Sequence, residues 1–267
     1  MKGLHFESRG QGPLLLLVHG WAMHGGIFAP LVEALAGSFR VLSVDLPGHG
    51  LSRASTLPLQ VERLADALAD LLVAHEPAPG AAPAWLAGWS LGGLIALALA
   101  ARHPQRVRGL VMLAASPRFV AASDWSMGMD PAVFAAFGAE LDRDFAGTLD
   151  RFLMLEAQGS IPLRETLRFL RDAVHERGGP TPEALHAGLD LLHSADLRPL
   201  LPSLAVPSLW LAGRRDRLVG PGAMQAAAAL APKSRLQVFE HAGHAPFLTE
   251  PVAVAAAITA FAAEAPP

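Results

Sequence analysis

The stretch from residue 84 to residue 102 constrains this chain more than any other. An apolar run at 84–87 leads into Gly88-Trp89-Ser90-Leu91-Gly92, and a helical pattern, Leu91–Arg102, follows without a break. The spacing G-x-S-x-G between a strand and a helix demands a sharp turn with the serine at its tip. The backbone there is strained, and glycines two residues to either side let the neighbouring elements close up. The pattern alone is weak. With Gly and Ser each near ~7% of residues, on the order of 0.1 chance matches are expected in such a length. The strand before and the helix after supply the setting that a nucleophilic serine needs. The plainer reading is a small serine in a tight turn.

Around this turn the chain alternates short apolar runs with longer helical patterns. Leu14–Val18 reads as a buried strand that stops at His19-Gly20. Residues 28–36 have helical spacing, Arg40–Val44 is a strand closed by Asp45-Leu46-Pro47-Gly48, and 59–75 is an amphipathic helix with Val61, Leu64, Leu68, Leu71 and Leu72 on one face. Val107–Leu113, 208–212 and 236–239 are further strands, the last two each followed by a helical stretch. Such alternation predicts an α/β class with parallel strands and helices on both faces. Residues 117–196 break the rhythm. They carry helical patterns at 131–141, 145–156, Leu163–Glu176 and 182–192 and no convincing strand, which reads as a helical insertion between two sheet strands. Insertions at the carboxyl ends of parallel strands lie over the crevice where ligands bind. A helical subdomain without substrate contact is the alternative.

Composition narrows the chemistry. A length of 267 residues with 52% hydrophobic and 17% charged residues suits one large domain, or one domain with an insertion, more than two independent ones. The net charge of -3 gives no reason to expect nucleic acid as a partner. There is no cysteine, so disulfides, thiolate catalysis and Cys-ligated metal are excluded. His5, Glu7 and Arg9 stand where a signal peptide would need an apolar run, and Leu14–Val18 is too short to span a membrane. A soluble, cytoplasmic monomer without membrane contact is expected.

A serine hydroxyl needs a base, and partners in the order Ser, Asp or Glu, His suit this arrangement. Among eleven histidines, His244 follows the last strand in Gly243-His244-Ala245-Pro246, where Gly243 and Ala245 leave the backbone free to present the ring. His241 is the competitor three residues earlier. Asp216 follows the preceding strand in Gly213-Arg214-Arg215-Asp216 and is expected to orient the imidazole; alternatively it is a turn aspartate paired with Arg214 or Arg215. The oxyanion donors are expected to be the backbone N–H of Leu91 and that of Trp21, in the loop after Leu14–Val18. His19 reads as a structural hydrogen-bonding residue. His19 and His24 lack further ligands at metal spacing, and no HExxH is present, so neither metal nor cofactor is expected.

Together His19-Gly20-Trp21, Asp45-Leu46-Pro47-Gly48-His49-Gly50, Gly88-Trp89-Ser90-Leu91-Gly92-Gly93 and Gly243-His244-Ala245-Pro246-Phe247 resemble the α/β-hydrolase superfamily along nearly the whole chain. Within it, the chain is similar to the pimeloyl-acyl-carrier-protein methyl ester esterases of biotin synthesis. The His-Gly-Trp loop, the Gly-Trp-Ser-Leu-Gly-Gly turn and the stretch Asp144-Phe145-Ala146-Gly147-Thr148-Leu149-Asp150-Arg151-Phe152-Leu153 carry that likeness. The resemblance implies an α/β-hydrolase core at 1–116 and 197–267, with a helical lid at 117–196. It implies cleavage of a methyl ester on an acyl chain borne by acyl carrier protein. Substrate contacts would map to Trp21, Ser90, Leu91, Phe145, Ala146, Gly147, Thr148, Leu149 and His244. The acidic carrier would dock on basic residues of the insertion, here Arg151 and the i, i+4, i+7 set Arg164, Arg168 and Arg171. Gly147 departs from the family, which can carry a larger basic residue there. A general short-chain esterase, lactonase or carbon–carbon bond hydrolase on the same residues is the alternative, and a non-catalytic ligand sensor a remoter one.

Overall fold

The computed structural model describes residues 3–76 and 82–264. Its strands are β1 (Phe6–Arg9), β2 (Leu14–Val18), β3 (Arg40–Val44), β4 (Ala84–Trp89), β5 (Val107–Leu113), β6 (Ser208–Gly213) and β7 (Ser234–Phe239). They form one sheet in the order β1-β3-β2-β4-β5-β6-β7. Only β1 runs antiparallel, against β3; the other pairings are parallel. Every residue of β2, β4 and β6 is buried. Strands buried on both faces must be covered on both sides, which is why they read as continuous apolar runs and do not alternate.

The helices flanking the first half are α1 (Ala29–Leu35), α2 (Val61–Ala74) and α3 (Leu91–Arg102). α2 turns Val61, Leu64, Leu68 and Leu72 inward and packs on α3. α3 is different: Leu91 to Ala100 are all buried. A helix apolar all round belongs in a core, and this one packs on β4, β5 and α2 directly behind Ser90.

Between β5 and β6 come α4 (Pro131–Arg143), α5 (Phe145–Ala157), α6 (Leu163–Glu176) and α7 (Pro182–Ser194). Their starts are written in the sequence. Asp130, Asp144 and Thr181 each accept a hydrogen bond from a backbone N–H of the first turn, and proline opens α4 and α7. The only pairings here outside named strands, among the described residues, are the isolated bridges Val120–Met129 and Ala122–Trp125. The two ends of this segment meet. Leu197 N–H donates to the Pro117 carbonyl (2.9 Å), and Arg118 pairs with Asp196 (2.6 Å), which Arg198 also grips. Arg198 and Arg118 hold the Asp196 carboxyl well below the usual carboxylate range. After β6 the chain adds α8 (Pro221–Leu230), β7, the short α9 (Pro246–Thr249) and α10 (Pro251–Glu264), which packs on α1.

The strand order sets where a site can form. From β2 the chain steps to β3 on one side, and β4 returns on the other. The loops leaving β2 and β4 therefore diverge and open a crevice at their carboxyl ends. The register aligns Val18 with Gly88, so His19-Gly20-Trp21 emerges beside Trp89-Ser90. Among the described residues no helix is long and apolar enough to cross a membrane.

Candidate active site

Ser90 stands between β4 and α3 with φ 52° and ψ -120°. Its N–H donates to the Leu113 carbonyl of β5 (3.1 Å), and its own carbonyl accepts from Gly93. The turn is tight enough to exclude side chains nearby. A Cβ on Gly92 would strike the Val18 and His19 carbonyls, and one on Gly88 would strike Gly92 and Gly93. Two other non-glycine residues have positive φ, Ala22 (66°) and Ala114 (41°), among the described residues. They follow β2, by way of the Trp21 loop, and β5. Strained backbone thus gathers at the carboxyl ends of three neighbouring strands, as at sites where a side chain or N–H must be aimed.

His244 and Asp216 meet at the ends of β7 and β6. His244 Nδ1 lies 2.8 Å from Asp216 Oδ2, and both side chains are fully buried. The other Asp216 oxygen, Oδ1, accepts from Leu218 N–H (2.8 Å) and Val219 N–H (2.9 Å). Every hydrogen bond of the carboxylate is thus accepted from a donor. Since a carboxylate accepts only, His244 carries its proton on Nδ1 and leaves Nε2 as a lone-pair acceptor. Nε2 is buried and makes no hydrogen bond, so Ser90 Oγ and Nε2 are not yet joined, a gap common in substrate-free sites. Arg214 is committed elsewhere, to Glu240, which removes it as the alternative partner of Asp216. His241, the competing histidine, is exposed.

One contact went unforeseen. Trp89 Nε1–H donates to the His244 carbonyl (2.8 Å) and its ring lies 5.7 Å from the imidazole. The residue beside Ser90 therefore ties the histidine loop to the turn. Its motif position was visible, but nothing in the sequence said what the indole would reach.

The Trp21 and Leu91 backbone N–H groups donate to no acceptor among the described residues. Leu91 opens α3, where the helix dipole favours negative charge. The Trp21 side chain is buried, bonded through Nε1–H to the Leu185 carbonyl of α7 (2.9 Å) and packed edge-on against Phe152 of α5. His19 donates from Nδ1 to the Gly20 carbonyl and accepts Leu46 N–H at Nε2, a structural role that requires the neutral ring. Burial first, then neighbouring His49, depresses its basicity well below the ordinary histidine value. His24 bridges Gly26 and the Ala173 carbonyl of α6. Among the described residues no group of three or more His, Cys, Asp or Glu is placed to hold a metal.

A narrow cavity of about 20 Å³, room for about one water, opens at Ser90. Its wall is Phe119, Met129, Val133, Phe134, Phe137, Phe152, Leu189, Leu192 and Leu218, with no polar side chain besides Ser90. Of the expected substrate contacts Ser90 is on this wall, Trp21, Leu91 and His244 are not, and neither are Phe145, Ala146, Gly147, Thr148 and Leu149. These last five form the first turn and a half of α5, where Asp144 caps Gly147 and Arg151 bonds Thr148. Phe152, further along α5, reaches the cavity instead.

The alpha/beta hydrolase fold family matches residues 13–251. The chain belongs to the alpha/beta hydrolase family. This alpha/beta hydrolase is 54% identical over 264 residues to a pimeloyl-[acyl-carrier protein] methyl ester esterase of Stenotrophomonas maltophilia, covering 99% of this chain and 98% of that protein. It is 51% identical to the protein of the same name from Xanthomonas axonopodis pv. citri, over 98% and 100% of the two chains. Among solved structures, a malate-bound thermophilic esterase from Thermogutta terrifontis superposes with a TM-score of 0.83 at 27% identity, over 98% of this alpha/beta hydrolase and 93% of the esterase.

Proposed function

We propose that this chain is a serine carboxylesterase that hydrolyses the methyl ester of pimeloyl-acyl carrier protein in biotin synthesis. The observation that carries the reading is the near-full-length identity to esterases of that name, 54% over 99% of the chain. The apolar wall at Ser90 agrees with it, because a polymethylene chain asks for contact and no hydrogen bonds. Its narrowness means that α4 and α5 must yield as the chain enters, so residues 117–196 act as a lid over the core.

In this mechanism Ser90 attacks the ester carbonyl as His244 Nε2 takes its proton. The Leu91 and Trp21 N–H groups stabilise the oxyanion. Asp216 fixes the imidazole tautomer and stabilises the imidazolium without taking the proton. Methanol leaves with the proton from His244, and water then cleaves the acyl-enzyme by the reverse steps. No cofactor takes part. A cytoplasmic monomer that meets its carrier protein in solution goes with this chemistry.

The carrier would dock on the basic residues of α5 and α6. Arg151 is engaged with Glu140, and Arg171 with Asp150 through two bonds of 2.6 and 2.8 Å. Arg164 and Arg168 are exposed without ion-pair partners among the described residues, and are best placed to meet an acidic carrier. The deciding experiment compares pimeloyl-acyl carrier protein methyl ester with short simple esters. A large preference in kcat/KM for the carrier-linked ester, with rescue of biotin-free growth in a host lacking this esterase, is expected. Equal rates on all esters and no rescue would leave a general esterase.

A further inference from the structure

α5 buries Thr148, Leu149, Phe152, Leu153, Glu156 and Ala157. Glu156 lies seven residues after Leu149, four after Phe152 and three after Leu153, so it is on the apolar face of its helix. Its side chain has no exposed surface, and neither carboxyl oxygen has a hydrogen-bond partner. Isolated ionised carboxylates do not survive such burial.

The chain just after Glu156 is wedged into the site. A Cβ on Gly243, next to His244, would lie 2.7 Å from the Gln158 carbonyl and 2.9 Å from Ser160 Oγ. One on Gly159 would lie 2.7 Å from Arg215 Cβ, next to Asp216. The corner joining α5 to α6 therefore touches both loops that supply Asp216 and His244. The charge acting on Glu156 is that of Asp216. The loop after β7 that the corner touches at Gly243 carries one buried titratable group, His244. The buried residues of α4 and α6 are Phe134, Leu141, Thr166, Leu170, Ala173 and Val174, and none of these titrates in this range. Arg214 is turned to Glu240, and Arg215, Arg217 and His241 are exposed.

Two carboxyl groups buried near enough to act on each other do not both ionise readily, and the proton goes to the one with fewer donors. Asp216 has three donors and Glu156 none. We propose that Glu156 is a positioning residue that, as a neutral carboxylic acid, seats the α5–α6 corner behind Asp216 and leaves Asp216 the only negative charge acting on His244. Burial, reinforced by Asp216, holds its pKa well above the ordinary carboxylate value. This rests on the hydrolase reading of Asp216 and His244. On ionisation, a second negative charge would tighten the hold of His244 on its proton and push the corner away from the core.

The test is a pH series on wild type, Glu156→Gln and Glu156→Met, reading kcat/KM on a short soluble methyl ester together with Tm. The folded pKa of Glu156 exceeds its unfolded value, so its stabilisation is complete below the ordinary carboxylate range and is lost as pH rises through the folded pKa. Wild type should lose activity on the alkaline side, approaching about tenfold per pH unit, and should lose Tm over the same range. Both variants should hold their activity and Tm there. The same alkaline fall in all three proteins, or none in wild type, would overturn the proposal. Should one variant fail to fold, the other decides. If the chain hydrolyses no ester at any pH, the catalytic reading has failed, while the Tm comparison still judges Glu156.

Discussion

At Ser90 a positive φ aims one hydroxyl out of a turn whose every neighbour is packed, and Gly88 and Gly92 are the reason the turn can close. Alanine fits the same space, so Ser90→Ala should fold as wild type. It should lose esterase turnover by about 10⁴-fold or more and fail to react with a fluorophosphonate probe. His244→Ala should cost about as much, and the double variant little more, because the two act as one unit. His241→Ala should be mild; steady-state kinetics in which it is the more damaging histidine change would move the base to His241. Ser90, Asp216 and His244 could be singled out from the chain because each depends on order: a serine between strand and helix, an acid after one strand, a histidine after the next. Glu156 was not readable in the same way. A glutamate late in a helix ordinarily faces water, and only the phase of Leu149, Phe152 and Leu153 betrays that this one faces inward. The reach of the Trp89 indole to the His244 carbonyl was hidden for another reason: 155 residues separate them, and only the sheet brings them together.

At the scale of elements, the sequence declared itself where a buried face left a regular apolar pattern. Arg40–Val44, Leu91–Arg102, Val107–Leu113 and Leu163–Glu176 have the bounds that their apolar patterns suggested. β1 escaped because Phe6–Arg9 is a short edge strand whose last three residues are exposed, so there is no buried face to write a pattern. The expected cluster of arginines also divides on inspection. Arg151 and Arg171 are held by acids of α4 and α5, whereas Arg164 and Arg168 face solvent along α6. Reversing Arg164 and Arg168 to Glu should reduce kcat/KM for a carrier-linked ester by about tenfold or more at low salt, leave a small soluble ester unchanged, and lose its effect as added salt shortens the Debye length. Equal losses on both esters would assign these arginines to the fold, and no loss would leave them a solvated face.

At the scale of the molecule, the buried histidines set the acid limit. His49 is wholly buried beside His19, and desolvation lowers its pKa to about 4. A base with a depressed folded pKa stabilises the fold above its ordinary value and ceases to as pH falls toward the folded one. The protein should therefore lose up to about 3 kcal/mol through this group between about pH 6.5 and pH 4, seen as a falling urea midpoint. A midpoint unchanged across that window would mean that His49 reaches water. The closure at Pro117 and Leu197, locked by Arg118 and Asp196, bears on how such proteins diversify. A segment that departs and returns through one clasp asks nothing of the spacing between its endpoints. Four helices are strung on that clasp, and three of them supply the wall at Ser90. Such a segment can be exchanged as a cassette, so that a relative's helices grafted at the same clasp would bring their own acyl preference to an untouched sheet.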